Sequence, residues 1–186
     1  MPEMSPEDAA TFSKRGSDVF RKLERLPIPV MAAVNGFALG GGCELMLACD
    51  FAYAAENARF GQPEVNLGII AGFGGTQRLM RKIPYGMAIE LLMNAEMIKA
   101  DEALRIGLTE MVVPDAAFDD AILKLAKQIT ENSAFSHAAN KRLLEATDAR
   151  DMDSGLQWEV LNNEGVGPDM QARIAAFTGK SQKAKT

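Results

Sequence analysis

The chain has 186 residues, 47% of them hydrophobic and 24% charged, which suits one ordinary domain with a real core or a domain plus an appendage. Its formal net charge of -5 comes without a basic cluster and argues against nucleic acid or an anionic membrane as the main partner. The longest apolar runs, 30–34 and 43–49, are too short for membrane insertion, and Met1-Pro2-Glu3-Met4 lacks the regions of a signal peptide, so the expected compartment is the cytoplasm.

Ser5-Pro6-Glu7-Asp8 reads as an N-cap with proline at the first helical position, and a helix is predicted to about Arg25. Phe12, Val19, Phe20, Leu23 and Leu26 fall on one face of it, and Pro27 and Pro29 end it. Val30 to Val34 predicts a short buried strand and Asn35-Gly36 a kink. Phe37-Ala38-Leu39 then runs into Gly40-Gly41-Gly42 and a helix over 42–49. Strands are expected at 50–55 and 58–61, joined by a turn at Glu56-Asn57. Residues 62–68 are expected to be irregular and extended, because Pro63 restricts the residue before it. Gly72, Gly74 and Gly75 open a second glycine-rich helix, 76–82.

Helices at 87–94 and 100–106 and a strand at 108–113 follow, ending at Pro114. From Asp115 onward the pattern is helical, over 115–131, 133–147, 151–162 and 168–177, with a polar tail at 180–186. The change in texture near Pro114 sets the expected division, 1–114 and 115–186.

Three consecutive glycines allow positive φ and let a ligand approach the amides, and the helix they open points unpaired N–H groups at the same spot. Glu44 stands in the first turn of that helix. On the residues alone, two readings stay open: an anion site beside a carboxylate, or a tight turn with an acid that complements the helix dipole. Glu64 alone reads first as a solvated loop acid. Gly179-Lys180-Ser181 imitates the end of a P-loop, but Ile174 stands where the upstream glycine is required. Ala71-Gly72-Phe73-Gly74-Gly75 begins like a dinucleotide fingerprint, yet Gln77 replaces its last glycine and the helix is too short for a crossover. Cys43 and Cys49 suit neither a disulfide framework nor a common zinc pattern, and His137 reads as a surface or packing residue. Acid and base chemistry would therefore fall to carboxylates, and no metal or redox cofactor is implied.

Asn35-Gly36-Phe37-Ala38-Leu39-Gly40-Gly41-Gly42-Cys43-Glu44-Leu45, then Asp50, then Phe60-Gly61-Gln62-Pro63-Glu64, then Gly68 and Gly72 to Leu79, together resemble an enoyl-CoA hydratase of the crotonase superfamily. The resemblance runs from about Ser5 to the C-terminal helices. It implies an α/β fold, a crotonase-like (ββα) spiral with an α-helical C-terminal part. It implies an acyl-CoA thioester as substrate, coenzyme A being part of that substrate, and an enolate-like oxyanion held by two backbone N–H groups. Gly41 matches the position of the helix-start donor, with Gly40 beside it at the substrate. Glu44 and Glu64 match the two carboxylates that hold and activate water, which adds to Cβ of a trans-2-enoyl-CoA while a proton goes to Cα. Glu44 at a helix N-terminus suits water activation, and Glu64 in a less polar pocket suits proton delivery.

Relatives of this kind usually carry strands before the position of Ser5, with a loop bearing the second oxyanion N–H and much of the CoA contact. The expectation is thus of an N-terminally incomplete spiral with unpaired strand edges, covered by association. The resemblance points to a homotrimer or a dimer of trimers built through the C-terminal helices. Lys180 matches a lysine that can approach a CoA phosphate, although Ser181 stands where a second basic residue is usual. A catalytically weak subunit of the same fold, or an enoyl-CoA isomerase, remains the alternative.

Overall fold

The computed structural model describes residues 5–145, 151–162 and 167–183, with side chains described as far as Phe177. It forms two compact units, one of residues 1–26 and 30–125, the other of 27–29 and 126–186. The division thus falls inside a helix beyond Pro114.

The first unit opens with α1 (Pro6–Glu24). Its start is a capping box: Ser5 Oγ accepts the Asp8 N–H, and the Asp8 carboxylate accepts the Ser5 N–H. Strands β1 (Met31–Val34) and β2 (Phe37–Leu39) then lead into α2 (Gly41–Leu47). The chain repeats this path with β3 (Phe51–Ala55), β4 (Arg59–Gly61), a 3-10 turn at Pro63–Leu67 and α3 (Gly75–Lys82). After α4 (Tyr85–Asn94) come β5 (Ile98–Lys99), α5 (Ala100–Arg105) and β6 (Met111–Val113).

Successive passes stack into two three-stranded sheets, ordered β1-β3-β6 and β2-β4-β5. In the first all pairs are parallel, with Ala32 opposite Ala52 and Ala54 opposite Val112. In the second β2 and β4 are parallel, while β5 runs antiparallel to β4. This is the ββα spiral, and β1 and β2 lie at sheet edges.

Small side chains make the spiral tight. Ala52, Ala54, Ala58, Ala88 and Ala103 are buried at 3% exposure or less, and Phe60, Leu79 and Leu108 fill the remaining space. Asp50 fastens the entry to β3, its carboxylate accepting the Val30 N–H at 2.6 Å while its own N–H donates to Val30 O at 2.8 Å. A 3-10 turn at Asp115–Ala117 leads into α6 (Phe118–Thr130), whose Phe118 packs with Ala55 and Val113. That contact keeps the first turns of α6 with the strands.

In the second unit α7 (Ala134–Glu145), α8 (Met152–Leu161) and α9 (Met170–Lys183) follow. His137 Nε2 lies 3.0 Å from Ile129 O, a packing role. Among the described residues no helix is long and apolar enough to cross a membrane.

Several local expectations need correction. Residues 63–67 coil into a 3-10 turn, because Pro63 suits its first position and Gly68 closes it at φ 70. The strand expected at 108–113 is confined to 111–113, since the Leu108 and Thr109 N–H groups both donate to Ala103 O and close the end of α5. Helix 115–131 is divided at Phe118, β5 has too little apolar alternation to show, and α9 continues through Lys183 into the expected polar tail.

Candidate active site

Gly40 follows β2 and caps α2 at φ 52 and ψ -123, a conformation that side chains rarely adopt. Space is refused as well as angle. A Cβ on Gly40 would stand 2.8 Å from Glu64 Oε1. Gly41 is the first residue of α2, so its N–H has no acceptor within the helix.

Glu44, one turn further on, is only 2% exposed. Its Oε1 accepts two backbone N–H groups, from Phe73 at 2.8 Å and from Gly75 at 2.7 Å. Glu44 stands in the first turn of α2, as expected from its place in the chain, but its hydrogen-bond donors come from the start of α3. Gly74 turns the chain there at φ 106, and a Cβ on Gly75 would meet Ala71 Cβ at 2.9 Å and Glu44 Oε1 at 3.0 Å.

Glu64 sits half-buried in the 3-10 turn, facing Gly40. Burial pushes its carboxyl above the ordinary value, its own backbone N–H opposes this, and the charge on Glu44 adds to the rise. Buried Gln62, with its amide nitrogen toward Glu64, reaches the two carboxylate oxygens at 3.2 and 3.3 Å. Beside them burial pushes the Cys43 thiol up to about 12, so it stays protonated and inert.

Gly40, Gly41, Glu44 and Glu64 all line one cleft of about 840 Å³. Its apolar walls include Phe12 of α1, Ile70 and Phe73. A helix-start N–H without an acceptor in its own helix, a fixed buried carboxylate and a half-buried acid thus share one cavity. That set can hold an oxyanion, orient a water and move a proton. Among the described residues, no cluster of three or more His, Cys, Asp or Glu could hold a metal. Lys180 belongs to α9, but its side chain lies outside the described residues.

Residue patterning missed Phe73, Gly75 and Gln62. The signal was present in Gly72, Gly74 and Gly75, but a helix start holding a side chain from another helix leaves no spacing rule in the sequence.

A family model described as enoyl-CoA hydratase/isomerase matches residues 1–182. The chain belongs to the enoyl-CoA hydratase/isomerase family. It is 48% identical over 159 residues to a short-chain-enoyl-CoA hydratase of Clostridium acetobutylicum, a match covering 86% of this chain and 61% of that one. It is 46% identical over 190 residues to a crotonyl-CoA hydratase of Syntrophomonas wolfei, covering 97% and 73%. An enoyl-CoA hydratase structure from Bacillus anthracis superposes with a TM-score of 0.90 at 39% identity, covering 96% of this chain and 70% of that one. In this member of the family, the two glycine turns and the 3-10 turn meet at the cleft.

Proposed function

We propose that this hydratase/isomerase family member adds water across the double bond of a trans-2-enoyl-CoA to give a 3-hydroxyacyl-CoA. The observation that carries the reading is the single cleft lined by Gly41, Glu44 and Glu64. Relatives named for short-chain enoyl-CoA and crotonyl-CoA support an acyl-CoA thioester as substrate.

In this scheme the thioester oxygen lies at the Gly41 N–H. Water held between the carboxyls loses a proton to Glu44 as its oxygen bonds to Cβ. The π electrons move onto the thioester, and the Gly41 N–H stabilises the developing oxyanion. Glu64, whose proton burial helps retain, delivers it to Cα as the enolate collapses. Exchange with solvent then returns each glutamate to its starting form.

The test is conversion of crotonyl-CoA to 3-hydroxybutyryl-CoA by the purified chain. Glu44→Gln and Glu64→Gln are each expected to lower kcat by about 10²- to 10⁴-fold, the usual worth of a positioned acid or base. Turnover within a few-fold of the parent in both variants would reject the assignment. A product with a shifted double bond and no added water would assign isomerase chemistry to the cleft.

Assembly into a trimer or dimer of trimers belongs to the same proposal. Leu156, Val160 and Leu161 of α8 and Ile174 and Phe177 of α9 are each at least 52% exposed, apolar surface suited to contact with another copy.

A further inference from the structure

Gly16 occupies the interior of α1, a position where glycine weakens a helix. The space around it gives a reason. A Cβ at residue 16 would lie 2.2, 2.4 and 2.7 Å from Cδ1, Cε1 and Cγ of Phe73, so the ring fills the place of a side chain. Phe12 and Phe20 close around that ring, with centroids 5.2 and 5.7 Å away and planes at 57° and 88°.

Polar ties fasten α1 to the same loop on both sides of this seat. Ser13 Oγ donates to Gly72 O, and Ser17 Oγ donates to it at 3.3 Å. Toward the other end of α1, Glu24 pairs with Arg78 at 2.5 Å, and Arg78 Nη1 donates to Phe73 O at 2.7 Å. Phe73 itself reaches two parts of the site. Its N–H holds Glu44 Oε1 at 2.8 Å, and its ring comes within 3.7 Å of where a Gly41 Cβ would stand.

We propose that α1 is a positioning clamp: the notch at Gly16 seats the Phe73 ring, and the seated Phe73 fixes the Glu44 carboxylate and backs the Gly41 turn. Gly16 and Phe73 are positioning residues, acting through Glu44 and Gly41. The kinetic consequence rests on the hydratase reading, whereas the structural consequence does not.

Gly16→Ala places a methyl where the ring sits. Gly86→Ala is the matched control, a helical glycine in α4 with open space around it. The structural readout is the chemical shift and hydrogen exchange of the Phe73 and Gly75 amides in isotope-labelled protein. Gly16→Ala is expected to move the Phe73 amide proton upfield and speed its exchange by about tenfold or more, with a smaller change at Gly75. The kinetic readout is kcat against KM for crotonyl-CoA. An expected loss of about tenfold to a hundredfold in kcat, with KM within about threefold, reflects a displaced carboxylate in an otherwise intact cleft.

Adding Phe73→Leu to Gly16→Ala makes room for the methyl and is expected to recover a large part of the lost kcat. Gly86→Ala is expected to match the parent in both readouts. Should Gly16→Ala fail to fold, Ser13→Ala removes one tie without adding bulk and is expected to shift the Phe73 amide in the same direction. An unchanged Phe73 amide in the folded variant overturns the clamp. So does kcat equal to the parent's, or no recovery in the double variant. If the parent chain hydrates no crotonyl-CoA, the hydratase reading falls, and the amide readout alone decides the clamp.

Discussion

Gly40 is required by both angle and space, with φ at 52 and the Glu64 carboxylate 2.8 Å from any Cβ. Gly40→Ala is therefore expected to cost about 1–3 kcal/mol from the backbone conformation alone. It should also push Glu64 away, so chemical denaturation and crotonyl-CoA turnover should fall together. Glu64 supplies the pH dependence. Its folded-state proton affinity is raised above the ordinary value of 4.5, so between the two values the folded state keeps a proton that the unfolded state has released. Its contribution to stability is then whole below about 4.5 and is lost as pH rises through the raised value. Thermal melts across pH should show Glu64→Gln without that portion of the decline, and the activity that depends on Glu64 as an acid should fade over the same window.

At the scale of elements, the first glycine turn was legible because three adjacent glycines before an apolar helical run have few other uses. The second was legible as a helix start but not as a holder of Glu44. Residues 44 and 73 are distant in sequence, and a backbone N–H carries no residue-type signature at its own position. The 3-10 turn at 63–67 was hidden for a different reason: Pro63 restricts the residue before it and equally suits the first position of a tight turn. Since Gly41 is the first residue of α2, proline is compatible with the helix there while removing the N–H. Gly41→Pro is expected to lower kcat by about 10²- to 10³-fold, the usual effect of deleting one oxyanion donor. Circular dichroism should show the helix content retained.

Across the molecule, the ββα spiral could be anticipated only through the family resemblance, which several spaced motif blocks carry together. On the residues alone the later helices could be read only as helices; a part for them in assembly came from the resemblance. Among the described residues, apolar side chains on α8 and α9 remain at least 52% exposed at six positions, and β1 and β2 lie at the edges of their sheets. Light scattering at working concentration is expected to give a mass at least three times the 20.1 kDa of one chain. A single-chain mass would remove the assembly part of the proposal.

The carboxylate of Glu44 is held by amides 29 and 31 positions later in the chain. An early folding species could contain α2 complete and still present that oxygen to bulk solvent. Chemical competence would therefore appear only with long-range closure, making enzymatic output a gauge of the last step of maturation.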